Sequence, residues 1–280
     1  MDIYGILGHP TGHSLSPILH NAAFRALGIH ARFEIFDVAP SRLPAFFKRM
    51  RRAPIHGLAV SLPYKERVLE YLDSFDSSTQ KIGAVNTVYN ENGVLRGFNT
   101  DFSGAISALT KACSATALHE LRGKTVVVIG AGGAARAIVY GLQQEGAEVI
   151  ILNRTQSKAD TLARDFGCQS GELSTLFQWQ PNILINATSV GMEPNIESIS
   201  CDPHYFRVAP RHLLVFDIVY RPRITQFLRL AQEAGLSILT GDSMLLHQGA
   251  VQFKIWTGKS APISVMKKTL DEALCGLGAK

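Results

Sequence analysis

The sequence predicts an α/β fold of two units, the second of them a doubly wound parallel sheet. Three observations carry this prediction. Strand-like and helix-like stretches alternate along nearly the whole chain, the pattern of strands joined by crossover helices. Thr125, Val126, Val127 and Val128, followed by Ile129, read as one buried strand. Directly after it comes Gly130-Ala131-Gly132-Gly133-Ala134-Ala135, which fits G-x-G-x-x-G/A, and then an Ala-rich helical pattern through Leu142. The strand–turn–helix context gives the glycine pattern its meaning. A chain of 280 residues, 46% of them hydrophobic, can bury one large core or two modest ones.

In chain order, residues 3–7 read as a first strand and 8–13 as a loop. Ser16-Pro17 reads as N-cap and first position of a helix that runs through Leu27 and stops at Gly28. Residues 32–38 alternate like a strand, 41–52 are helical, 55–61 form another strand, and 65–72 form a short helix entered through Pro63. Residues 85–89 and 94–98 flank Asn90-Glu91-Asn92-Gly93, a hairpin signal. Asp101 stands where an N-cap belongs, before a helix through Ala112, and 113–123 reads as a hinge. Strands follow at 125–129, 148–152, 182–187, 213–218 and 237–239, with helices near 157–166 and 224–234. Two helical patterns, 244–256 and 263–274, have no strand to cross to, so they are expected to return and cover the first domain. The predicted division is 1–112 with 242–280 as one domain and 113–241 as the other.

A net charge of +5 with 18% charged residues is mildly basic and does not mark a nucleic-acid binder. The densest basic run, Lys48-Arg49-Met50-Arg51-Arg52, suits a solvated helix C-terminus. Cys113, Cys168, Cys201 and Cys275 are scattered without a C-x-x-C pair. The first residues lack a charged, apolar leader, and no apolar run approaches the length of a membrane span. The expectation is a cytoplasmic protein with reduced thiols, bound to neither membrane nor nucleic acid. His9 and His13 are four apart, but Pro10 and Gly12 between them argue against a helical metal pair, and no metal is expected.

In the glycine turn, Gly130 suits the tight bend, and Gly132 lets a pyrophosphate approach the backbone. Small Ala135 lets helix and strand pack closely. The dinucleotide fingerprint expects an acid about 20 residues on, to hold a ribose 2′-hydroxyl. Here the stretch reads Asn153-Arg154-Thr155-Gln156-Ser157-Lys158, with no acid. Arg154 and Lys158 stand four apart at a helix start, with Thr155 as the candidate N-cap. Two cations and helix N–H groups suit a 2′-phosphate, which points to NADP over NAD. Later strands end in Asn186-Ala187-Thr188-Ser189-Val190-Gly191-Met192 and Asp217-Ile218-Val219-Tyr220. Beyond strand carboxyl ends these residues are expected to line the nicotinamide half; the alternative is an ordinary loop.

Three polar clusters mark the first domain: Ser14-Leu15-Ser16-Pro17, Ser61-Leu62-Pro63-Tyr64-Lys65, and Asn86-Thr87 with Asn99-Thr100-Asp101. Each has a plain account, with Ser16 and Asp101 as caps, Lys65 as a surface lysine and Asn86 as a turn residue. Together they put hydroxyls, amides, one lysine and one carboxylate at element ends of one domain, the lining that a polyhydroxylated small molecule needs.

The run of motifs HSLSP, VSLPYK, AVNT, NTDFSG, GAGGAAR, NRT, INATSVGM and MLLHQGAVQF resembles the shikimate dehydrogenase family, in order and across nearly the whole chain. The resemblance implies a substrate-binding domain and a Rossmann-type dinucleotide-binding domain facing each other across a cleft. It implies reversible reduction of 3-dehydroshikimate to shikimate with NADPH, in aromatic amino-acid biosynthesis. Carried over by position, Ser14, Ser16, Ser61, Asn86, Tyr220 and Gln248 bind substrate, with Lys65 and Asp101 as the catalytic pair. The cofactor falls to Gly130, Ala131, Gly132, Gly133, Ala134, Ala135, Asn153, Arg154, Thr155, Lys158, Thr188, Val219 and Gly241. The expected assembly is a monomer or homodimer.

Three departures from the family pattern matter. Ala59-Val60-Ser61 replaces the usual Asn-Val-Thr, and a serine there is similar to the quinate/shikimate branch. Lys158 stands where many members have arginine, and no Asp follows Asn153-Arg154 as in the NAD-using branch. The alternatives are a quinate/shikimate dehydrogenase with broader substrate and cofactor use, and a non-catalytic metabolite sensor on the same fold. A glutamyl-tRNA reductase is similar only around the glycine turn and Asn-Arg-Thr, and no cysteine precedes Cys113 to serve as its nucleophile.

Overall fold

The computed structural model describes residues 1–116 and 118–277. They form two compact units: Met1–Asp101 with the chain from Leu246 onward, and Phe102–Leu245.

The first unit contains β1 (Asp2–Gly8), α1 (Ser16–Ala26), β2 (Ala31–Asp37), α2 (Leu43–Met50), β3 (Ile55–Val60), β4 (Ser74–Phe75), α3 (Ser77–Ile82), β5 (Thr87–Glu91) and β6 (Val94–Phe98). Its sheet has the order β2-β1-β3-β5-β6-β4. β1 runs parallel to β2 and β3, while β5 runs antiparallel to both β3 and β6. The predicted hairpin is there. Asn92 and Gly93 both take positive φ, 55° and 93°, the two-residue turn that matches strand twist. Asn90 pins it by accepting from Gly93 N–H at 2.8 Å.

The register puts the end of β3, the start of β5 and the end of β6 at one edge, because Ala59 faces Thr87 and Thr87 faces Phe98. One sheet face packs Leu58, Val60, Val88 and Leu95 against Leu43, Phe47 and Met50 of α2. On the other face Tyr4, Phe24, Phe33 and Trp256 form an aromatic cluster.

The second unit takes in most of α4 (Asp101–Ser114), then β7 (Thr125–Ile129), α5 (Gly133–Gln144), β8 (Glu148–Leu152), α6 (Gln156–Phe166), β9 (Gln169–Gly171), β10 (Ile183–Asn186), α7 (Tyr205–Val208), β11 (Leu214–Asp217), α8 (Gln226–Glu233) and β12 (Ser237–Leu239). Its strands are all parallel, in the order β12-β11-β10-β7-β8-β9. The order reverses beside β7, which makes the carboxyl ends of β7 and β10 the switch point of a doubly wound sheet. Alternate residues of β7 serve opposite cores. Val126 and Val128 pack with Ala135 and Ile138, and Val127 and Ile129 pack with Phe227 and Leu228. Two helices close the chain, α9 (Gly241–Thr257) and α10 (Ile263–Leu277), and α10 lies along α1.

Several local expectations change. Ser16 is the first helical residue rather than the cap, which is Leu15, and no side chain caps that end. Asp101 likewise begins its helix instead of preceding it. Residues 65–72 wind into a 3-10 helix at Arg67–Tyr71. β4, α3 and β9 have no strong hydrophobic period to mark them in the sequence; α3 is set by Asp76, whose carboxylate accepts from Thr79 N–H.

Candidate active site

The register of the first sheet brings the predicted polar residues to one edge. Ser61 follows β3, with its N–H bonded to Leu7 O at 2.8 Å. Asn86 precedes β5 and Asp101 follows β6. Lys65 is fixed through its backbone, its carbonyl accepting from Val85 N–H at 2.7 Å. Lys65 Nζ lies 2.5 Å from Asp101 Oδ2. The pair is well shielded, with side-chain exposures of 16% and 6%. A close, shielded ion pair gains more than a surface one, provided its remaining valences are met.

Asn86 meets them. Its Nδ2 donates to Asp101 Oδ1 at 2.8 Å and to Thr100 Oγ1 at 2.9 Å, and it reaches Gln248 Oε1 at 3.3 Å. Its Oδ1 accepts from Thr100 N–H at 2.7 Å and from the Thr87 hydroxyl at 2.8 Å. Lys65, Asn86, Asp101 and Gln248 thus form one hydrogen-bonded cluster.

Ser14 lies on the loop that follows β1 and Ser16 opens α1; that loop is joined to the loop after β3 by His9 N–H donating to Leu62 O at 3.1 Å. Both serines are buried, and Ser14 Oγ accepts from Ser16 N–H at 3.2 Å. That bond orients Ser14 and leaves its hydroxyl hydrogen to donate. Tyr220, the remaining substrate candidate, belongs to the second unit, in the segment after β11.

In the second unit Gly130 has φ +120°, and a Cβ there would stand 2.9 Å from Thr188 Cγ2. Glycine is therefore needed at the switch point, and Thr188 lies against it. Gly132 is different. Its φ is −97°, and no atom beyond its own chain neighbours lies within 4 Å of where its Cβ would be. Nothing in the protein demands a glycine there, so the open space at the start of α5 fits a ligand that approaches the backbone. Ala135 is fully buried against β7, Ala131 completes the turn, and Gly133 and Ala134 open α5.

Asn153 Nδ2 donates to Thr155 O at 2.9 Å, which shapes the turn into α6. Thr155 holds the N-cap position without a side-chain cap bond. Arg154 and Lys158 are exposed, and neither has an ion-pair partner among the described residues. Two unpaired cations at a helix start, beside an open glycine turn, fit the 2′-phosphate and pyrophosphate of NADP. Gly241 opens α9 in close contact with backbone, since a Cβ there would fall 2.4 Å from Ile218 O and 2.6 Å from Val219 O.

Two expectations need correction. Asn186 and Asp217 do not line a ligand surface. Both are wholly buried and bond to each other, Asn186 Nδ2 donating to Asp217 Oδ1 at 3.0 Å.

The sequence reading does not single out Gln252. Gln252 Nε2 donates to Asn86 O and to Thr87 Oγ1, both at 3.1 Å. Its spacing of four from Gln248 on one helix was the available signal.

Comparison with known proteins gives a consistent result. The family described as shikimate dehydrogenase substrate binding domain matches residues 6–88. Shikimate / quinate 5-dehydrogenase matches residues 112–228, and shikimate 5'-dehydrogenase C-terminal domain matches residues 243–270. The chain is 41% identical over 283 residues to a shikimate dehydrogenase (NADP(+)) of Methanothermobacter thermautotrophicus, covering 97% of this chain and 96% of that one. A protein of the same name from Pyrococcus abyssi is 41% identical over 276 residues, covering 98% and 99%. Among solved structures, shikimate 5-dehydrogenase of Thermus thermophilus in complex with NADP(H) and shikimate superposes with TM-score 0.87 at 39% identity. That match covers 98% of this chain and all of the other.

Proposed function

Because the chain belongs to the shikimate dehydrogenase family, we propose that its first unit binds shikimate and carries the reacting pair Lys65 and Asp101, while its second unit holds NADP. The activity is that of an NADP-dependent oxidoreductase: the reversible reduction of 3-dehydroshikimate to shikimate, a step of aromatic biosynthesis. The observation that carries the site assignment is the buried cluster of Lys65, Asp101, Asn86 and Gln248 at one sheet edge.

Bound NADPH supplies the hydride that reduces the carbonyl. Lys65 supplies the rest. Its ammonium donates a proton to the oxygen that becomes the hydroxyl, and its charge stabilises the developing alkoxide. Asp101 holds the ammonium through Oδ2, and Asn86 holds Asp101 through Oδ1. Ser14 and Ser16 donate to the substrate carboxylate, and Ser61, Gln248 and Tyr220 contact its ring hydroxyls. Arg154 and Lys158 bind the 2′-phosphate, with Asn153 and Thr155 shaping that turn. The segment 130–135 binds the pyrophosphate, and Thr188, Val219 and Gly241 flank the nicotinamide.

The relatives are named for NADP(+) and shikimate, and neither broader quinate use nor a sensor role is favoured. No helix among the described residues is long and apolar enough to cross a membrane, and a cytoplasmic location is part of this reading. The assembly is a monomer or homodimer, which light scattering resolves. The activity is tested by following reduced nicotinamide absorbance with shikimate or quinate and NADP or NAD. Shikimate with NADP is expected to give the highest kcat/KM, and a quinate value equal to it would promote the broader enzyme.

A further inference from the structure

Three wholly buried polar side chains, Asn186, Asp217 and Thr225, lie under the carboxyl ends of β10 and β11 and take no part in the site described above. Asp217 Oδ1 accepts from Val219 N–H and from Asn186 Nδ2, each at 3.0 Å, and Oδ2 accepts from the Thr225 hydroxyl at 2.6 Å. Asn186 Oδ1 accepts from Thr188 N–H at 3.2 Å and from the Thr188 hydroxyl at 2.7 Å, while Nδ2 also reaches Val190 O at 3.2 Å. Val190 N–H closes the turn on Thr188 Oγ1 at 3.1 Å. One carboxylate therefore anchors the 218–220 segment directly and the 187–190 segment through a single asparagine.

Burying a carboxylate is costly, and an apolar side chain of similar size fills such a place at lower cost. Burial pushes the Asp217 carboxyl up to about 6, against the pull of its three donors. The cost is spent on two loops whose outer sides are also fixed. Thr188 abuts Gly130 of the glycine turn, and the Ile218–Val219 backbone abuts Gly241. The loops are thus held between the buried cluster and the glycine contacts.

We propose that Asp217, acting through Asn186, is the positioning residue for the nicotinamide half of the cofactor site. It presents Thr188 and Val219 in fixed register with Gly130 and touches no ligand itself. This rests on the reading that the second unit holds NADP.

The test is calorimetric titration of wild type, Asp217→Ala, Asp217→Asn and Arg154→Ala with NADP, with adenosine 2′,5′-bisphosphate and with shikimate. The bisphosphate carries the 2′-phosphate and lacks the nicotinamide half. Asp217→Ala is expected to weaken NADP about 10- to 100-fold. Its affinities for the bisphosphate and for shikimate should stay within about twofold, the change of a fraction of a kcal/mol. Asp217→Asn keeps an acceptor for Val219 and Asn186 and should restore most of the NADP affinity. An Asp217→Ala protein that binds NADP like wild type, or that loses NADP and bisphosphate equally, overturns the proposal. Should that variant fail to fold, Thr225→Val removes the bond to Asp217, together with the N-cap bond that Thr225 accepts from Leu228 N–H, at nearly constant shape. It should weaken NADP about threefold to tenfold and spare the bisphosphate, and no selective loss overturns the proposal. Arg154→Ala tests the underlying reading separately, because it should weaken both nucleotides. If it weakens neither, the placement of the 2′-phosphate fails whatever Asp217 does.

Discussion

Asn86 Nδ2 lies 2.8 Å from Asp101 Oδ1, so the carboxylate that holds Lys65 with one oxygen is itself held by the other. Replacing Asp101 with asparagine keeps the shape and removes the counter-charge of the lysine. Asp101→Asn is expected to lower kcat by about 10²–10⁴ with a small change in shikimate KM. Steady-state kinetics on protein with an unchanged melting curve checks this. Near wild-type turnover would reduce Asp101 to a structural residue at the start of α4.

Arg154 is exposed, without an ion-pair partner among the described residues, and four residues from Lys158. A charge-assisted contact to a 2′-phosphate contributes about 1.5–3 kcal/mol, or roughly 10- to 150-fold in affinity. Arg154→Ala should therefore raise KM for NADP strongly and leave KM for NAD nearly unchanged. Equal effects on both nucleotides would mean that Arg154 serves the pyrophosphate or the fold.

Asp217 makes stability depend on pH in an unusual direction. Burial raises its folded-state value to about 6 from an ordinary 3.8, so the folded chain binds a proton that the unfolded chain has released. Its contribution is fully present below about pH 3.8 and is lost as pH rises through about 6. The loss is about 3 kcal/mol across that window. Asp217→Asn removes the titration. The unfolding free energy of wild type minus that of the variant, from urea titrations at pH 4 to 7, should fall as pH rises and then level off. A difference that is flat or rises would show that the carboxyl is not desolvated as the fold implies.

Ser14 Oγ accepts the Ser16 backbone N–H, which fixes the Ser14 hydroxyl beside the start of α1. A neutral hydroxyl donating to a carboxylate contributes about 1.5–3 kcal/mol. Ser16→Ala should raise shikimate KM by roughly tenfold or more with kcat within about threefold, because the contact is equal in ground and transition states. A fall in kcat with KM unchanged would place Ser16 at the reacting end of the substrate.

Much of this was legible before the structure. The glycine turn, the two cations after β8 and the Asn92-Gly93 hairpin are local signals, since each depends on backbone sterics or helix ends within a few residues. Lys65, Asn86, Asp101 and Gln248 were picked out as polar residues at element ends and through family resemblance. Their meeting at one edge depends on the β3–β5–β6 register, which spacing alone does not supply. The misread positions share a cause. Ser16 and Asp101 look like caps by residue type, yet Asp101 gives both carboxylate oxygens to side chains distant in sequence, Lys65 and Asn86. Asn186 and Asp217 sit at strand ends where ligand contacts are expected. Only the packing reveals that they are buried and that the loops above them carry the surface.

The most direct test of the account is the turnover of Lys65→Ala. Lys65 Nζ is shielded, 2.5 Å from Asp101, and is assigned both the proton and the positive charge that the alkoxide needs. The variant should fold, bind shikimate and NADP with little change, and lose about 10²–10⁴ in kcat. A Lys65→Ala enzyme that keeps most of its kcat would contradict the assignment and put the chemistry on other residues.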